Sequence, residues 1–210
     1  MLLLHGFGDD LHTWDQLVGE WGESVLAARP DLPGHGGSTR FGSEPADHTR
    51  EVALGLVEEL VAELTARSGN DQVVVVGHSL GGYLALCHAI RHPETVAGLG
   101  LIATGPGFRR DDARAKWNAM IDKATSQFGL APEVAPLCRQ DDALVLDNLD
   151  ELTMPIVQLV GSNDTHYFAG MEVVEERTAQ ATSVHLEGGR HHVHRTHARQ
   201  VTEALMDLLN

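Results

Sequence analysis

The chain has 210 residues, 42% of them hydrophobic, with 15 Lys and Arg against 30 Asp and Glu for a formal net charge of −15. That length predicts one domain with a sizeable core, and the acidic balance argues against nucleic acid and anionic membrane surfaces as partners but says little about substrate, since a pocket can differ from the average surface; the small-molecule substrate expected of this chain rests on the candidate site. No apolar run approaches the ~20 residues of a bilayer span, Met1 to His5 lack the basic region of a signal peptide, and two cysteines make no disulfide framework, so a cytoplasmic protein is expected; nothing in the sequence fixes an oligomeric state.

Leu2-Leu3-Leu4 predicts a short strand that runs into His5-Gly6-Phe7-Gly8. Leu11, Trp14, Leu17, Val18 and Trp21 recur at helical spacing. Residues 24–28 form a second strand candidate, and 29–38, punctuated by Pro and Gly, a long ordered loop. Residues 47–67 predict an amphipathic helix with Val52, Leu56, Leu60 and Leu64 on one stripe. Four consecutive valines, 73–76, predict a strand buried on both faces. Residues 82–90 read as a helix, with Cys87 a small apolar core residue. Further strands are expected at 96–104, 154–161 and 183–186, and further helices at 171–180 and 198–209.

This alternation predicts the α/β class: a mainly parallel β-sheet flanked by helices on both faces. Residues 105–151 break it, holding no convincing strand, a helix over 111–128 and a second helical stretch within 135–149. The chain therefore divides into a core, 1–104 and 152–210, and a helical insertion, 105–151. An insertion that leaves the carboxyl ends of parallel strands lies over the ligand crevice. It reads as a small cap, with an ordinary long crossover as the alternative.

The valine strand ends in Gly77-His78-Ser79-Leu80-Gly81, and a helix follows. A serine on a sharp strand-to-helix turn exposes its hydroxyl above the sheet edge and is a candidate nucleophile. Such a serine needs a base and an orienting acid, in the chain order serine, acid, histidine. Asp164 follows a late strand and is the candidate acid; its competing role is to cap the next helix. Asp147 and Asp150 are weaker candidates because they precede that strand. His191 follows Gly188-Gly189-Arg190 and is the candidate base, with neighbouring His192 the alternative. The spacing of His191, His192, His194 and His197 matches no metal motif, and neither a metal nor a cofactor is expected. The backbone N–H groups of Leu80 and Phe7 are the candidate oxyanion hole. His78, Phe108, Arg109, Trp117 and Met120 are candidate pocket residues, with Arg110 and Phe128 beside them.

Taken together, His5-Gly6-Phe7-Gly8, the run Asp31-Leu32-Pro33-Gly34-His35-Gly36-Gly37-Ser38, Gly77 to Gly82, Gly161-Ser162-Asn163-Asp164 and His191 resemble the successive landmarks of the α/β-hydrolase superfamily. The resemblance implies a Ser79–His191–Asp164 triad, an acyl-enzyme, and a structural role for 31–38. It suits hydrolysis of a small ester or related acyl compound. Two departures stand out: the chain opens at what would be the third strand of that fold, and the cap is short. The run 31–38 is also similar to that of a menaquinone-pathway lyase of the same fold, but Tyr83 stands where that enzyme typically has an arginine for its carboxylated substrate. The alternatives are a C–C bond hydrolase or lyase acting on a dienoate or diketone, and a non-catalytic ligand-binding protein of this fold.

Overall fold

The computed structural model describes residues 1–38 and 44–209. Five strands, β1 (Leu2–Leu4), β2 (Val73–His78), β3 (Val96–Ile102), β4 (Ile156–Gly161) and β5 (Ala181–Leu186), pair in parallel in the order β1-β2-β3-β4-β5. The helices are α1 (Asp15–Trp21), α2 (Arg50–Ser68), α3 (Leu80–Arg91), α4 (Asp111–Gln127), α5 (Leu144–Asn148), α6 (Phe168–Arg177), α7 (Val193–Thr196) and α8 (Ala198–Met206). Successive strand residues point to opposite faces, and each face has its own core. Leu2, Leu4, Val73 and Val75 pack with Leu54, Val57 and Val61 of α2 and Leu84 of α3. Leu3, Val74 and Val76 pack with Trp14, with Leu17 and Trp21 of α1, and with Val201 and Leu205 of α8. Every residue of β1, β2 and β4 is buried, as expected of parallel strands covered on both faces. Edge strand β5 is half-exposed and carries Thr182, Ser183 and His185.

Two expectations are corrected. Residues 24–28 form no strand; Ala28 alone bridges Leu2, with its amide donating to the Met1 carbonyl (3.0 Å) and its carbonyl accepting from Leu3 N (2.8 Å). Strand β1 offers only 3 residues to pair with, and Pro30, which has no N–H, follows two residues after Ala28. In α2 the buried face is Ala53, Leu54, Val57, Val61 and Leu64. The sequence stripe 52, 56, 60, 64 steps by four each time and drifts around a helix of 3.6 residues per turn, whereas 54, 57, 61, 64 stays on one side. Val52 and Leu56 are accordingly only half-buried.

Residues 105–151 are helical as expected, but the stretch within 135–149 is broken. A 3₁₀ turn, Pro132–Leu137, contains Pro136, and α5 starts only at Leu144. Ile121, Ala135, Leu137, Val145 and Leu149 of this segment join the same core as α2 and α3. No helix among the described residues is long and apolar enough to cross a membrane.

Candidate active site

Ser79 sits between β2 and α3 at φ 52°, a conformation that side-chain-bearing residues rarely adopt. The turn is held by Ser79 N donating to the Ile102 carbonyl (2.9 Å), and by Thr104 Oγ1 donating to the Ser79 carbonyl (2.7 Å). Its glycines are sterically required: a Cβ on Gly77 would lie 2.2 Å from the Gly81 backbone, and one on Gly81 would lie 2.0 Å from the Leu4 carbonyl oxygen. The loop after β1 lies alongside. A Cβ on Gly6 would come within 3.3 Å of Ser79 Cβ, so the adjacent amide of Phe7 belongs to the same neighbourhood. Leu80 opens α3, where the first amides have no partner within the helix.

Asp164 leaves β4 and His191 follows β5. His191 Nδ1 lies 2.8 Å from Asp164 Oδ2. Asp164 is buried, 8% exposed, and makes no side-chain capping bond to the 3₁₀ turn that it begins, so its competing role is not the one taken. Asp147 pairs with Arg109 (2.9 Å) and Asp150 with Arg177 (2.7 Å), both at the surface. His192 turns instead toward Asp9 (3.7 Å).

Ser79, Leu80, Asp164 and His191 share one cavity of about 760 Å³. Its other side is apolar, with Phe108, Trp117, Met120, Leu146 and Val173. Trp117 Nε1 donates to the Cys138 carbonyl (2.8 Å), so the indole is fixed and shows its ring to the cavity. A second cavity, about 750 Å³, opens at the amino ends of the strands beside Met1 and Leu64 and holds none of these groups.

Two pocket expectations are corrected. Arg109 does not line the cavity; it lies at the surface with Asp147, as an acidic chain leaves many carboxylates to pair with. His78 does not line it either. Its ring is 1% exposed, packs against His191, His192 and His194, and lies with Nε2 3.0 Å from the His191 carbonyl oxygen. Burial first, then the neighbouring imidazoles, hold its pKa well below the usual range. It is a prop under the His191 loop.

Sequence reasoning missed Tyr167, whose ring stacks on His191 with centroids 5.2 Å apart. Burial pushes its phenol up to about 12, and the Ser79 side chain beside it pulls the other way. It also missed what residues 31–38 do. His35 Nε2 accepts the Gly8 amide (3.0 Å), and His5 Nε2 accepts that of Leu32 (2.9 Å). These bonds lock the loop after β1 to the loop that follows 24–28. Desolvation lowers His5 and takes His35 to about 4, so each ring stays neutral and keeps the lone pair that the amide needs.

The chain belongs to the alpha/beta hydrolase family, whose pattern it matches over residues 1–204. It is 34% identical over 117 residues to the pimeloyl-[acyl-carrier protein] methyl ester esterase of Salmonella heidelberg, a match covering 56% of this chain and 40% of that protein's length. Among solved structures, MenH from S. aureus superposes with TM-score 0.81 at 16% identity, covering 99% of this chain and 92% of that one. An esterase from Exiguobacterium antarcticum gives TM-score 0.81 at 18% identity, with 100% and 91% coverage.

Proposed function

We propose that this chain is a serine hydrolase that cleaves a small ester or related acyl compound, with Ser79 as nucleophile, His191 as base and Asp164 as orienting acid. The observation that carries this reading is the 2.8 Å contact from His191 Nδ1 to Asp164 in a cavity that Ser79 also lines. With Nδ1 donating to the carboxylate, Nε2 is the nitrogen left to take the proton of Ser79. The alkoxide attacks the acyl carbonyl, the amides of Phe7 and Leu80 receive the oxyanion, and His191 returns the proton to the leaving alcohol. Water, activated by the same imidazole, then releases the acid. Residues 105–151 act as the cap in this reading, and Phe108, Trp117 and Met120 receive the acyl group. The apolar wall favours an uncharged acyl chain.

Ser79→Ala is expected to abolish turnover of p-nitrophenyl acetate and labelling by a fluorophosphonate, with the fold unchanged by circular dichroism. Activity equal to that of the unaltered chain would refute the mechanism. Ester substrates of graded chain length, run beside a dienoate and a lactone, separate ester from C–C bond cleavage: turnover of the dienoate alone would replace this reading with the second one.

A further inference from the structure

Beside the cavity, but not lining it, three loops bring together Asp9, His78 and His192. One ligand atom from each lies within 4.8 Å of the others. They come from the loop after β1, the turn before Ser79 and the loop after β5. His78 Nε2 lies 3.0 Å from a backbone carbonyl oxygen, which can only accept, so this nitrogen carries the proton. Nδ1 therefore holds a lone pair, and it is buried without a partner. Asp9 Oδ1 accepts the Asp10 amide (3.1 Å), while Oδ2 is buried with no hydrogen bond and faces His192 Nε2 at 3.7 Å. Buried donors of electron pairs with nothing to receive them are rare in folded chains, and each calls for a cause. The space beside His78 Nδ1 is also kept open by a glycine: a Cβ on Gly6 would come within 2.7 Å of it.

We propose that Asp9, His78 and His192 form a binding site for a divalent transition-metal cation of the zinc class. Two imidazoles and a carboxylate are a donor set that suits zinc, with a fourth position left to water. Ligand atoms held at ~2.0–2.2 Å from a tetrahedral ion stand roughly 3.4 Å apart. Closing on the ion thus asks for a contraction of up to about 1.4 Å, and His192, whose side chain is 45% exposed, is the least confined of the three. A bound cation would tie the Phe7 loop, the Ser79 turn and the His191 loop together. The site does not rest on the ester reading, because none of its ligands is the nucleophile, base, orienting acid or oxyanion donor assigned there.

The test is calorimetric titration of the chelator-treated full chain with zinc chloride, with thermal unfolding measured in parallel. One zinc per chain and a raised Tm are expected. His192→Ala and Asp9→Asn should each weaken zinc binding by ~10-fold or more while melting like the metal-free parent. His12→Ala, at an exposed histidine paired with Asp15, should bind zinc as before. Absence of saturable binding by the unaltered chain, or undiminished affinity in either ligand variant, would overturn the proposal.

Discussion

A carboxylate at the start of a turn can satisfy the turn's amides or serve a neighbouring side chain, and Asp164 serves His191. This choice makes a sharp prediction at the residue scale. In Asp164→Asn the amide can donate where the carboxylate only accepted, and the imidazole is driven toward the wrong tautomer. We expect kcat on a p-nitrophenyl ester to fall by ~10³–10⁴ with the melting temperature nearly unchanged; a loss of less than ~10-fold would remove Asp164 from the mechanism. Ser79 and Asp164 could be proposed from the sequence because each follows a strand rich in Val, Leu and Ile, and His191 because it follows the turn Gly188-Gly189-Arg190. Tyr167 was not legible, because a tyrosine near a helix start carries no signal until the fold lays it on His191. His78 was misplaced for a related reason. Its neighbour Ser79 faces the cavity, but the turn sends the two side chains to different places.

At the scale of elements, the strand-to-helix turn is set by backbone crowding. Gly81→Ala would force a Cβ to 2.0 Å from the Leu4 carbonyl oxygen, and neither β1 nor α3 can give way without breaking the sheet. We expect it to cost ~3 kcal/mol or more, or to prevent folding. The contrast is Gly55→Ala in α2, where the added Cβ meets nothing within 4 Å; this should stabilise the chain by about 0.5–1 kcal/mol. Urea unfolding of both variants checks the pair, and equal effects would sink the argument. The order of strands and helices was readable from runs of apolar residues and their spacing, and the parallel sheet followed from the alternation of strand and helix. The strand candidate at 24–28 failed because strand formation needs a partner, and its neighbour β1 is too short to be one. The face of α2 failed because four-residue spacing looks regular on the page and spirals in space.

For the molecule as a whole, the histidines set the response to pH. Of 13 in the chain, His5, His35, His48, His78, His88 and His194 are buried. Burial lowers His35 and His88 to about 4 and His194 to about 3. The unfolded imidazole titrates near 6.5, so below that pH the unfolded chain binds protons that the folded one refuses, and stability falls as pH falls. His35 and His194 alone should together cost about 2–3 kcal/mol by pH ~5.5 relative to pH ~7.5. Carboxylates held low by arginines, such as Glu51 beside Arg91 and Asp142 beside Arg50, act in the same direction at lower pH. Chemical denaturation across pH 5 to 8 measures the slope, and a flat profile would contradict it. The sequence showed the number of histidines but not their burial, since no periodicity separates a histidine in the core from one in solvent.

Residues 105–151 have no interior of their own: Ile121, Leu137, Val145 and Leu149 share theirs with α2 and α3. A hinged flap would have to drag those groups into water each time it opened. In the proposed enzyme a ligand would then reach the cavity past a fixed cover by way of small shutters, and Met120, 49% exposed and lining the cavity, is flexible enough to be one. Opening such a shutter takes only side-chain rotation, on a scale of nanoseconds, so entry in the proposed enzyme would not wait on the slower swing of a lid.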